Sequence, residues 1–90
     1  MITFEDCLAL CELTADEVAA IAEHEHVPDT VALEMGSYLV HAPGGEVRIR
    51  RIIIDDISAA QRRGDLARAA GLKQTLRRFI EQHPACKGTR

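Results

Sequence analysis

Apolar residues recur at helical spacing along most of the chain, and the breaks between the recurring sets divide it into short segments. Phe4, Cys7, Leu8 and Cys11 repeat every three or four positions behind Thr3 and Asp6. Thr3 and Asp6 have the spacing of a capping box with a shortened acid, so a short helix over about 4–12 is predicted. Thr14 and Glu17 match the same box more closely, and Val18, Ile21, Ala22 and Glu25 mark one face of a helix ending near His26. Pro28 stops it and serves as the first residue of the next helix, with Asp29 near the positive end of its dipole. In that third segment Val31, Ala32, Met35, Leu39 and Ala42 form a stripe, while Leu33, Tyr38 and Val40 add apolar surface on other sides. A helix apolar nearly all round is expected at the centre of the fold. Gly36 interrupts it at a cost of ~1 kcal/mol relative to Ala, which a closely packed neighbouring backbone would offset.

Pro43-Gly44-Gly45 is the strongest break in the chain. Beyond it, residues 47–54 open with alternation of period two, and Ile52-Ile53-Ile54 favours a strand on propensity. The helical reading prevails because Ile49, Ile52, Ile53, Ile57 and Ala60 carry the period onward to Gly64, and a lone strand would find no pairing partner. Asp65 then caps a last helix whose inner face is Ala69, Leu72, Leu76, Phe79 and Ile80, ended by Pro84 and followed by a tail over 84–90. The expected fold is all-α, a compact bundle of four to five helices in a single domain over 1–90, with the last two forming an antiparallel helical hairpin across Gly64. A chain of 90 residues holds one modest core, so stability in the range of roughly 5 to 13 kcal/mol is expected and dimer formation would be a noticeable part of it.

Composition removes several function classes. No apolar run approaches a membrane span, and the first residues lack the basic and apolar regions of a secretion signal, so a cytoplasmic location is expected. Cys7, Cys11 and Cys86 fit neither a disulfide framework nor a paired-cysteine zinc pattern, and reduced thiols are expected. The only aromatic residues are Phe4, Tyr38 and Phe79, so stacking platforms for single-stranded nucleic acid are nearly missing.

Charge changes the picture more. Residues 1–45 hold nine acids and no Lys or Arg, a net −9, whereas residues 46–90 hold all 11 bases against five acids, a net +6. The overall −3 conceals a dipole between an acidic part, helices over about 4–42, and a basic hairpin over about 46–83. The arginines cluster as Arg48, Arg50 and Arg51, then Arg62 and Arg63, then Arg68, Lys73, Arg77 and Arg78. Such surface attracts phosphate backbones, but the acidic total and the lack of a helix-turn-helix signature stand against nucleic acid as a partner. Contact between the basic and acidic halves, within one chain or between copies, accounts for the split better. On the fourth predicted helix, Arg51 and Asp55 stand at the spacing of an ion pair.

Few residues suggest chemistry. In Glu23-His24-Glu25-His26, the pair Glu23 and His26 has the Glu-x-x-His spacing of helical-bundle di-iron sites, and these two are candidate ligands for a divalent metal. Their alternative reading is a solvated helix end, where imidazoles suit the negative pole of the dipole. His41 and His83 read the same way, Cys7 and Cys11 as core residues, and Asp55-Asp56 as balance for the arginines. No catalytic residue is expected, and no cofactor beyond that possible metal.

Ile52 to Ile80, with Ala59-Ala60, Gly64-Asp65-Leu66 and Ala69-Ala70 around a tight turn, resembles one helical hairpin of the tetratricopeptide type. The wider pattern of Glu23-His24-Glu25-His26, Pro28, Glu34, Tyr38-Leu39, Asp55-Asp56, Gly64-Asp65 and His83-Pro84 is similar to small helical bacterial proteins of unknown function. The resemblance implies a fold and no activity. The leading expectation is a non-enzymatic interaction or regulatory module, a homodimer or binder of another protein, using Arg48, Arg50, Arg51, Tyr38 and Leu33. The alternatives are a di-iron or zinc bundle around Glu23 and His26 and a weak nucleic-acid binder through the final hairpin.

Overall fold

The computed structural model describes residues 13–83, which fold into four helices: α1 (Ala15–Glu25), α2 (Asp29–His41), α3 (Gly45–Arg63) and α4 (Leu66–Gln82). The helix expected over 4–12, with Cys7 and Cys11, and the residues from Pro84 onward, with Cys86, lie outside the described residues. No strand occurs among the described residues, and the isoleucine-rich segment is helical throughout.

Each boundary has a local cause. At the start of α1 the Thr14 amide donates to Glu17 Oε1 at 2.9 Å and the Glu17 amide donates to Thr14 Oγ1 at 3.2 Å, which completes the capping box. Pro28 is the N-cap of α2 rather than its first residue, since its extended ψ of 158° precedes the helical turn. Gly44 takes a left-handed φ of 75° before α3, and a Cβ on Gly45 would overlap the Leu39 carbonyl, so neither position tolerates a side chain without rearrangement. Gly64, at φ 77°, ends α3 by donating to the Ala60 and Gln61 carbonyls, and Asp65 accepts from the Arg68 amide at 3.1 Å to begin α4.

The core consists of Leu13, Val18 and Ile21 from the first segment, Ala32, Leu33 and Val40 from α2, Ile49, Ile52, Ile53 and Ile57 from α3, and Leu72 and Phe79 from α4. Helix α3 packs on all three others, most extensively on α4. It therefore takes the central place expected of the 29–41 helix, which touches α1 and α3 and leaves one side open. The stripe on α2 is also rotated from expectation: Ala32, Leu33, Gly36 and Val40 face inward, whereas Val31 is 39% exposed and Tyr38 is 73% exposed. Leu33, expected on an interaction surface, is only 7% exposed and belongs to the core. Gly36 explains the rotation. A Cβ there would collide with the Leu13 and Ile21 side chains, so these side chains, rather than a neighbouring backbone, fill the groove that glycine opens.

Candidate functional site

The end of α1 meets the middle of α3 and the α3–α4 turn, and this junction gathers the charged residues of both halves. Glu23, His24 and His26 line a depression of about 320 Å³ with Asp55, Asp56, Ala59, Arg62 and Arg63. The sequence-predicted pair Glu23 and His26 thus shares one depression, but their environments differ. Glu23 is engaged by Arg68 and, at 3.7 Å, by Arg63. His26 closes α1 in the left-handed region, φ 58° and ψ 48°, with its amide donating to the Ala22 carbonyl. That conformation costs a non-glycine residue about 1 to 2 kcal/mol. Among the described residues, no group of three or more His, Cys, Asp or Glu side chains is placed to hold a metal ion.

A second polar link from α1 to α3 is His24, which sequence reasoning passed over in favour of its neighbours. Its Nε2 lies 3.2 Å from Asp55 Oδ2 and its Nδ1 lies 2.8 Å from Glu25 Oε2. Partial burial opposes a charge on the ring, but the hydrogen bonds to Glu25 and Asp55 outweigh it and hold the pKa above its ordinary value. With both nitrogens against carboxylates, the site favours the protonated form of the ring. The expected Arg51–Asp55 pair does not form, because Asp55 turns toward His24 instead.

Asp56 is the strained member of the junction. It is 6% exposed, and its Oδ2 has no hydrogen-bond partner among the described residues. Burial, reinforced by the nearby Glu23 carboxylate, raises its pKa from 3.8 to about 6, against the opposing pull of His24 and Arg68. A carboxyl in this state is close to half-protonated just below neutral pH.

A second buried polar group lies near the far end of the bundle. His83 stacks on Phe79, with ring centroids 4.3 Å apart, and its Nδ1 lies 3.0 Å from Glu46 Oε2. The sequence placed His83 as a helix end, and it is the C-cap of α4; what sequence reasoning missed is its burial, for which the Phe79–His83 spacing of four was the available signal. Glu17 is fully buried, and His83 is close enough to act on its charge. Burial raises its pKa, and the Thr14 hydrogen bonds and His83 pull the other way.

The remaining candidates are on open surface. Arg48 and Arg51 are exposed and Arg50 is half-buried, and none of the three enters an ion pair among the described residues. Tyr38 projects from the opposite side of the Pro43-Gly44-Gly45 break, on α2. No helix among the described residues is long and apolar enough to cross a membrane. In comparisons with known proteins the chain matches no family model, no curated protein and no solved structure.

Proposed function

We propose that this chain is a non-enzymatic protein–protein interaction module whose charge division serves association, with α3 and α4 acting as an antiparallel hairpin that carries the basic surface. One observation supports it above the others: the basic residues are used unequally. Arg63, Arg68 and Arg78 meet the acids Glu23 and Asp16 of α1 and so join the two halves internally. Arg48, Arg51, Lys73 and Arg77 stay exposed and enter no ion pair among the described residues, which leaves a positive surface beyond what the fold consumes. Exposed ion pairs contribute only ~0 to 1 kcal/mol each, so a surplus of such charge is better accounted for by steering and register than by stability.

The metal-bundle alternative draws no support from the junction, where Glu23 is committed to two guanidinium groups and a third ligand is missing among the described residues. Light scattering at about 50 mM and 500 mM salt, together with affinity capture under both conditions, tests the proposal. Salt-sensitive association with itself or with another protein is expected. A strict monomer that captures nothing in either buffer overturns it.

A further inference from the structure

Two surfaces of this chain complement each other and lie where one copy cannot bring them together. The outward side of α2 presents Val31, Glu34 and Tyr38 along one line and carries no Lys or Arg. Val31 and Tyr38 are seven residues apart, two turns and about 10 Å along the axis, so they project in nearly the same direction. On α4, Lys73, Leu76, Arg77, Ile80 and Glu81 line an open groove of about 560 Å³. Leu76 and Ile80 are half-buried and form its floor, while Lys73 and Arg77 are exposed along it and Glu81 stands at the C-terminal end. One surface is an acidic helix with two apolar projections, and the other is a basic helix with an apolar floor one turn long.

We infer that the α2 face of one copy docks into the α4 groove of a second copy, a head-to-tail contact that gives the interaction proposed above a partner and a geometry. Charge complementarity selects this occupant: the groove has two bases to one acid, and the outward line of α2 has Glu34 with no Lys or Arg to oppose it. Topology supports it too. Helices α2 and α4 share no substantial contact, since α1 and α3 pack against both of them. The two surfaces therefore lie on helices that do not pack on each other, and head-to-tail pairing between copies leaves one of each unfilled at the ends. One helix laid in one groove buries on the order of 1,000 Å² or less, the range of transient contacts.

The experiment uses the full chain and two double variants confined to exposed side chains. Val31→Ser with Tyr38→Ser removes the docking face, and Lys73→Glu with Arg77→Glu reverses the groove. Sedimentation velocity on the parent chain is expected to show a mass that grows with concentration past that of a dimer. Each double variant alone is expected to weaken this by about 10-fold or more. An equimolar mixture of the two, each with one intact surface, is expected to form a 1:1 heterodimer and stop there. A parent dimer that saturates at two copies, or variants that associate like the parent, overturns the head-to-tail contact. A chain that is monomeric at every concentration also overturns it, and salt-sensitive capture of a different protein then still upholds the interaction module. Circular dichroism on each variant confirms that loss of association is not loss of fold.

Discussion

Helices α2 and α3 are both rich in apolar residues, yet only α3 presents the face that its periodicity predicts. In α3, Ile49, Ile52, Ile53, Ile57 and Ala60 are all buried, and the arginines Arg48, Arg51, Arg62 and Arg63 are exposed. Polar and apolar positions there largely oppose each other around the helix, so the rotation that buries the isoleucines leaves four arginines in water and half-buries Arg50 alone. Helix α2 has no such constraint. Its apolar residues surround it, several rotations are nearly equal in burial, and a single glycine with its neighbours decides among them. A helix is phased by what it must keep in water as much as by what it can bury.

The largest effect that could break this comparison is at the centre of α3. Ile53→Ala removes a fully buried side chain, and a loss of about 2 to 5 kcal/mol in urea unfolding is expected, whereas Val31→Ala on α2 should cost less than about 1 kcal/mol. Comparable losses at both positions would mean that α2 is as deeply packed as α3.

Asp56 tests the buried acid of α3. A carboxyl whose folded pKa is raised holds its proton more tightly folded than unfolded, so stability is greater at low pH and declines as pH rises from about 4 through about 6. His24 acts in the same direction at higher pH, since its raised pKa gives stability that is lost as the ring deprotonates. Asp56→Asn should remove the first of these losses, a gain of up to about 3 kcal/mol at pH 7.5. Unfolding midpoints at pH 5.0 and pH 7.5 check this, and an undiminished difference in the variant would rule out Asp56 as its source.

Two helical glycines then give opposite signs. Gly36→Ala on α2 forces Leu13 and Ile21 aside, and a loss of about 1 kcal/mol or more is expected despite the better helix propensity. Gly71→Ala on α4 meets open space, so a gain of about 0.5 to 1 kcal/mol should appear. Thermal midpoints moving the same way in both variants would remove Gly36 as the element that sets the rotation of α2. The smallest effect belongs to Val31→Ser with Tyr38→Ser, where a stability change of about 1 kcal/mol or less is expected, because both side chains project from the fold. A larger loss in denaturant would place them in the core and leave α2 without an outward apolar face.

The candidate junction was partly legible. Glu23 and His26 stood out by spacing and do line one depression, but the hydrogen bond from α1 to α3 there is His24 with Asp55, 31 positions apart in the chain. Local spacing favoured Arg51 as the partner of Asp55, and no pattern along the chain reports that α1 brings an imidazole within 3.2 Å of it. The burial of His83 against Phe79 and Glu46 was hidden for the same reason, with Glu46 37 positions away.

By itself, the sequence determined what depends on near neighbours: helical type throughout the described residues, the Thr14 capping box, the Gly64 stop, the Asp65 cap and the face of α3. These rest on interactions within about one turn, so residue identity and spacing suffice. Only the tertiary structure decided the rotation of α2, the central place of α3, the partner of Asp55 and the raised pKa of Asp56. Each of these depends on which surfaces of distant segments come together, and packing, desolvation and opposing charge act through space rather than along the chain.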